Sequence, residues 1–239
     1  MTTVVYGRNP VRELLAAGRR RVHELFALPE LARERWLAEG GAQPRSRAEL
    51  GRLCGSSDHQ GVVAVCDPYP YADAWELVAA TGPIVCLDGV QDPRNVGAVA
   101  RVAEAAGAAG LVIPRRGSPG VTAAACKTSA GAVEHLSIAQ VDSIASFVHD
   151  ARGPGRWAVG AEAEGGEDYR GVAWDAGTIL VMGAEGVGLR PRVRAVCDSI
   201  ARIPLAGRVG SLNLSVAAGI LLYEARRAID AASAGGPPA

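Results

Sequence analysis

The segment from Thr178 to Glu224 constrains this chain more than any other. It opens with an unbroken apolar run, Ile179 to Met182, that stops at Gly183-Ala184-Glu185-Gly186-Val187-Gly188. An apolar run that breaks into glycines reads as a buried strand delivered into a tight turn, which leaves the Glu185 carboxylate at the strand exit. A second run, Ile200 to Leu205 interrupted by Pro204, leads into Ala206-Gly207-Arg208-Val209-Gly210 and then Ser211-Leu212-Asn213-Leu214-Ser215. Small and apolar residues then continue as a helix to Tyr223. Two strands ending in glycine-rich loops with polar side chains mark the usual place for a ligand in an open α/β sheet. Glycine in either loop also has a purely structural reading, because it supplies positive φ to any tight turn. The order G-x-x-G-x-G is not the dinucleotide fingerprint and lies late in the chain, which argues against a nucleotide-dependent oxidoreductase.

Upstream, Ile84 to Leu87 reads as a strand that ends at Asp88-Gly89-Val90-Gln91-Asp92-Pro93-Arg94-Asn95-Val96-Gly97. An alanine-rich helix through Arg101 to Ala106, a Gly107 stop and a strand from Gly110 to Ile113 complete a βαβ unit, the building block of a parallel sheet. Asp92, Pro93 and Asn95 could simply end the strand and cap the helix. Lys127 to Glu134 reads as a helix before a strand at Leu136 to Ile138, with a further strand at Trp157 to Ala161. Lys127 is either a surface charge or an RNA contact.

The beginning of the chain has its own organisation. Asn9 fits a helix N-cap with Pro10 at the first helical position, and Gly18 closes that helix. Arg19-Arg20-Arg21 is either a solvated connection or an RNA contact. Val22 to Leu28 reads as a strand, Pro29 to Glu39 as an amphipathic helix, Arg47 to Cys54 as a helix, and His59-Gln60-Gly61 as a turn entering a strand. His59 is more readily a satisfied structural histidine than a catalyst. Asp67-Pro68-Tyr69-Pro70-Tyr71 is a proline-rich break. The expected division is an N-terminal domain over 1–66, a linker over 67–82, a main domain over 83–230 and a disordered tail over 231–239.

The 239 residues are 49% hydrophobic, enough for a buried core in one or two domains. The 25 basic residues balance 25 acidic ones, so any nucleic-acid contact must come from local patches. Nearly all the basic residues are arginines, whose fork geometry suits phosphate. The five cysteines are scattered without zinc-ligand spacing and read as reduced thiols, mostly buried. No apolar stretch is long enough to span a membrane and the N-terminus lacks a secretory layout, so a cytoplasmic protein without membrane attachment is expected.

The segments LDGVQDPRNVGAVARVAEAAGA, MGAEGVG and IPLAGRVGSLNLSVAA resemble, in this order, the three motifs of the SpoU (TrmH) family of RNA ribose 2′-O-methyltransferases. Gly7 to Val11 and His59-Gln60-Gly61 match that family's N-terminal domain more loosely, with Asn9-Pro10 replacing its His-Ala. The resemblance implies a SPOUT-type α/β fold: a parallel sheet with a C-terminal deep trefoil knot, plus a small N-terminal α/β substrate-binding domain. It implies S-adenosyl-L-methionine as cofactor, RNA as substrate and a homodimer with sites near its interface. By the same resemblance Arg101 leads the catalytic set, Asn95 and Glu185 orient groups, and Ser211 and Asn213 complete the site. Cofactor contacts are expected from the backbone of Gly183, Ile203 and Leu212, with Gly188 and Gly207 allowing close approach.

Methyl transfer from a sulfonium to a ribose 2′-hydroxyl requires alignment of a poor nucleophile and stabilisation of its alkoxide character. A guanidinium is effectively always protonated, so Arg101 is expected to bind phosphate and stabilise negative charge. No metal is called for. The segments look most like the subgroup acting on large-subunit (23S) ribosomal RNA. The alternatives are a tRNA ribose methyltransferase and a catalytically silent RNA-binding member of the fold.

Overall fold

The computed structural model describes residues 2–153, 155–184 and 186–234. The N-terminal part folds as β1 (Thr3–Tyr6), α1 (Arg8–Ala17), β2 (Val22–Ala27), α2 (Arg35–Glu39), β3 (Gln43–Pro44), α3 (Arg47–Cys54) and β4 (Val62–Cys66). Its sheet has the order β1-β4-β2-β3, with β4 antiparallel to β1 and β2, and β3 parallel to β2.

Two local expectations are corrected here. Asn9 is not the cap of α1: Gly7, at φ 100, holds that position, and Gly7 N–H still donates to Val62 O at 3.0 Å. The strand ladder therefore persists to residue 7, and Pro10 is the third helical residue, still in the first turn, where its missing N–H removes no helical bond. The C-terminal stop at Gly18, in the left-handed region, is as expected. The helix expected over 29–39 shrinks to α2. Glu34 stays extended because its carboxylate accepts from both Nη1 and Nη2 of Arg8, each at 2.7 Å, and from the Trp36 indole at 3.0 Å.

After α4 (Ala74–Ala79), the chain runs through β5 (Ile84–Leu87), α5 (Pro93–Ala105), β6 (Gly110–Pro114), α6 (Ala123–Thr128), a 3-10 turn (Ala132–Glu134), β7 (Ile138–Val141) and α7 (Ile144–Ala151). It continues with β8 (Trp157–Glu162), β9 (Glu167–Asp168), β10 (Thr178–Met182), α8 (Pro191–Arg194), β11 (Ser199–Arg202) and α9 (Leu214–Ser233). The seven strands form one sheet, β7-β6-β5-β10-β8-β11-β9, in which every pairing is parallel. Both faces of such a sheet are covered, so its strands read as continuous apolar runs. Val85, Leu87, Leu180 and Met182 enter one core while Ile84, Cys86, Ile179 and Val181 enter the other. The strand expected to reach Leu205 ends at Arg202, shortly before Pro204, which has no N–H to give a ladder. Helix α9 runs well past Tyr223 to Ser233, so the first residues of the expected disordered tail are helical; residues 235–239 lie outside the described residues. No helix among the described residues is long and apolar enough to cross a membrane.

The two sheets are joined by a packed seam. One apolar core contains Val5, Val11 and Leu14 of the N-terminal part together with Val99, Ala103 and Val133 of the other. Residues 67–82, expected as a linker, contribute buried Tyr69, whose hydroxyl lies 3.0 and 2.8 Å from the carbonyls of Val133 and Leu136. Arg156 reaches back to the carbonyls of Leu77, Val78 and Gly82. Two residues of the basic run are likewise spent on the seam, while Arg21 is exposed. Arg19 donates to the carbonyls of Glu134 and Leu136, and Arg20 is buried against the Glu134 carboxylate. Lys127 is not a surface charge: its Nζ is buried, 6.0 Å from the centre of the Tyr6 ring and with no hydrogen-bond partner among the described residues. Burial holds that ammonium below its ordinary pKa.

The five cysteines are all free, three buried and two half-buried. Burial raises the Cys126 thiol to about 12 and that of Cys197 to about 11, which keeps both un-ionised and unreactive.

Candidate active site

The site grows from the carboxyl ends of β8, β10 and β11. Strand β10 stops at Met182 because Gly183 must pass against Gly188: a Cβ at Gly183 would lie 2.0 Å from the Gly188 carbonyl oxygen. The loop is closed by an isolated bridge between Ala184 and Gly188, whose N–H donates to Ala184 O at 2.9 Å. Gly186 and Gly188, at φ 75 and 72, supply the left-handed turns that this closure needs. Glu185 lies outside the described residues.

Facing that loop is the irregular stretch from Ile203 to Asn213, and between them lies a cavity of about 560 Å³. Met182, Ile203, Leu205 and Leu221 give it an apolar wall, and Gly183, Gly188, Ser211 and Leu212 bring backbone to its surface. Glu162 and Glu164, two carboxylates without a signature in the sequence, stand at its rim; Arg194 holds Glu162 at 3.0 Å. A volume of this size, mostly apolar with a few convergent polar groups, suits a ligand of nucleoside dimensions. The acidic rim suits its cationic and hydroxyl groups.

The structure thus brings Gly183, Gly188, Ile203, Ser211 and Leu212 together around one cavity. Gly207 is not among its lining residues; it is exposed, with nothing within 4 Å of where a Cβ would sit. Asn213 is the N-cap of α9, its Oδ1 accepting from Ser215 N–H at 2.9 Å and from Ser215 Oγ at 2.6 Å. Asn95 sits in the first turn of α5, behind the Asp92 cap that accepts from Arg94 N–H at 2.8 Å. It lines a second cavity, considered below. Arg101, on the exposed side of α5, lines neither cavity of its own chain. Six residues along a helix place it about 9 Å along the axis from Asn95 and roughly a third of a turn around.

A pair that the sequence reading did not single out fixes the site's frame. Asp88, only 4% exposed, accepts from Arg190 Nε at 2.8 Å and Nη2 at 2.7 Å, tying the exit of β5 to the exit of the Gly183–Gly188 loop. The Asp88 N–H also donates to Met182 O at 2.8 Å.

Comparison with known proteins agrees with this construction. Residues 82–223 match the SpoU rRNA Methylase family, and residues 4–72 match the family described as RNA 2′-O ribose methyltransferase substrate binding. The chain is 35% identical over 246 residues to Bacillus subtilis YacO, named as a TrmH family tRNA/rRNA methyltransferase, covering 93% of this chain and 94% of the relative. A similarly named Staphylococcus haemolyticus protein is 34% identical over 240 residues, with coverage of 94% and 95%. Among solved structures, the SpoU methyltransferase AviRb of Streptomyces viridochromogenes in complex with AdoMet superposes with a TM-score of 0.80 at 26% identity, covering 95% of this chain and 89% of that one. The AdoMet-bound rRNA methyltransferase of Sinorhizobium meliloti gives 0.76 at 26% identity, with coverage of 95% and 87%.

Fold and site together define an RNA methyltransferase of the class that takes its methyl group from S-adenosylmethionine. The chain belongs to the SpoU (TrmH) family, with that family's substrate-binding domain at its N-terminus.

Proposed function

We propose that the protein methylates a ribose 2′-hydroxyl in RNA, with 23S ribosomal RNA as the substrate. The observation that carries this reading is the docking of the substrate-binding part onto the catalytic sheet through a shared core, so that substrate capture and the cofactor cavity belong to one rigid frame. The cofactor site is assigned to the cavity between the Gly183–Gly188 loop and the Ile203–Asn213 stretch. Bound there, S-adenosylmethionine would supply a methyl group on a sulfonium. Gly183, Ile203 and Leu212 would hold the adenosine through their backbone, with Ser211 beside the reacting centre. Gly207 is left without a contact role in this arrangement. Asn95 and Glu185 orient substrate, and Asn213 completes the site by ordering the start of α9.

Arg101 supplies a fixed positive charge for a phosphate and for the developing alkoxide. Because it lines neither cavity of its own chain, we assign it to the active site of a second copy in a homodimer. Exposed Val216 and Tyr223 on α9, at 50% and 55%, offer apolar surface for that partner. The expected trefoil knot belongs to the same reading; it is supported by the return of α9 from beyond β11 to pack on α5 and β10. Incubation with radiolabelled S-adenosylmethionine and separate pools of unmodified ribosomal RNA and tRNA, followed by mapping of ribose methylation, tests the assignment. Label at one ribosomal ribose supports it, label in tRNA moves the substrate, and RNA binding without label would make this a silent member of the fold.

A further inference from the structure

The second cavity, of about 530 Å³, lies outside the ends of β5 and β10, adjacent strands whose following connections lead to opposite sides of the sheet. That is the switch point at which open parallel sheets hold ligands. Ala184, Val187, Gly188 and Leu214 line both cavities, so the two chambers adjoin along the closed glycine loop and the start of α9. The polar equipment of the two chambers differs. The first carries Glu162 and Glu164, whereas the second carries Arg116, Arg190, Asn95 and Gln91 beside Asp92 and the Arg190-paired Asp88.

Arg190 is held there with its Nε and Nη2 on Asp88, which leaves Nη1 available. A side-on pair of this kind fixes the plane of a guanidinium. Its side chain is 59% exposed while that of Asp88 is 4% exposed, so the pair is anchored on the protein side and open on the other. Arg116, beside it, makes no hydrogen bond or ion pair among the described residues. The two guanidinium groups suit a phosphate, and the amides of half-buried Asn95 and exposed Gln91 suit a base edge.

Building on the functional reading above, we propose that this chamber receives the acceptor nucleotide: one unpaired RNA nucleotide, turned out of its stack, with its phosphate against Arg116 and Arg190 and its base toward Asn95 and Gln91. Because the two chambers adjoin at these shared residues, its ribose comes beside the cofactor chamber. Extruding a base for chemistry costs least where it is already unpaired, which directs the enzyme to loops.

Arginine footprinting tests this. The full chain is treated with phenylglyoxal alone, with saturating S-adenosylmethionine, with the four nucleoside monophosphates, and with unmodified ribosomal RNA or tRNA at concentrations shown by filter retention to bind. Mass spectrometry then reads each arginine. Bound RNA should slow modification of Arg116 by roughly tenfold, while cofactor and mononucleotides leave it within about twofold. Arg116→Ala should raise the KM for RNA by roughly tenfold, with the cofactor Kd within about twofold of the parent. Unprotected Arg116 in an RNA-bound, methylating enzyme overturns the acceptor chamber and leaves the functional reading standing. Protection by the cofactor alone would reassign the chamber to the cofactor, and equal protection by mononucleotides would make it a free-nucleotide site. Cofactor binding without RNA binding or methylation would overturn the functional reading and this proposal with it.

Discussion

Arg20 and Glu134 form an ion pair across the seam in which both side chains are only 1% exposed, although 114 residues separate them in the chain. Burial opposes the charge on Arg20, but the hydrogen bonds and the charge of Glu134 override it, and the guanidinium is held above its ordinary pKa. The pair joins the N-terminal part to the turn before β7. Removing one partner leaves an uncompensated buried charge, whereas removing both does not. Glu134→Ala should therefore cost about 3–5 kcal/mol in urea unfolding, and the double change Arg20→Met, Glu134→Leu should recover most of it. Equal losses in the single and double variants would show that the pair carries no such penalty.

His59 is 1% exposed and its Nδ1 accepts the Gly61 N–H at 3.0 Å, so the ring is held neutral. Burial, and then the charge of Arg47, depress its pKa below the ordinary value. The unfolded chain thus binds a proton that the folded chain refuses. Stability from this group is fully present above about pH 6.5 and declines as pH falls through the lower folded value. His59→Asn, which retains an acceptor, should flatten the melting temperature between neutral and mildly acid pH. An unchanged slope would place the acid sensitivity elsewhere.

Gly183 and Gly207 separate loop closure from mere glycine content. A Cβ at Gly183 would strike the Gly188 carbonyl, while one at Gly207 meets nothing within 4 Å. Gly183→Ala should weaken S-adenosylmethionine binding by roughly tenfold or more, because overpacking displaces backbone. Gly207→Ala should leave it within about twofold, since its φ is not in the left-handed region. Calorimetric titration of the two variants checks both, and similar losses would show that Gly207 shapes the cofactor site after all.

The outward position of Arg101 predicts complementation. Arg101→Ala chains should be nearly inactive alone, and Gly183→Ala chains nearly so at a cofactor concentration that loads the parental site but not theirs. Mixed after reversible dissociation, they should regain about a quarter of parental activity, because half the dimers hold one intact site of two. No recovery in dimers verified to have exchanged would place Arg101 in its own chain's site.

Much of the catalytic half was legible because parallel strands buried on both faces leave unbroken apolar runs, as at Ile84 to Leu87 and Ile179 to Met182, and because glycines mark where they stop. Asp92 as a helix cap and Gly18 as a helix stop were equally local. The reading failed where a distant partner decided. Glu34 is drawn out of a helix by Arg8, Gly7 is kept in the ladder by Val62, and Arg20 is turned inward by Glu134. Glu162, Glu164 and Arg190 carry no motif, so only their placement around the cavities reveals them.

By itself, the sequence determined which segments are buried strands, where glycine lets the backbone turn, and the ordered motifs that specify a methyltransferase of this family. Those properties reside in neighbouring residues and survive without knowledge of the rest of the chain. Tertiary structure alone decided that the N-terminal part shares a core with the catalytic sheet, that Lys127 is buried and that Arg101 faces away from its own cavities. It also decided that two chambers adjoin along one glycine loop. Each of these depends on segments brought together by strand order and packing, and sequence spacing carries no record of that.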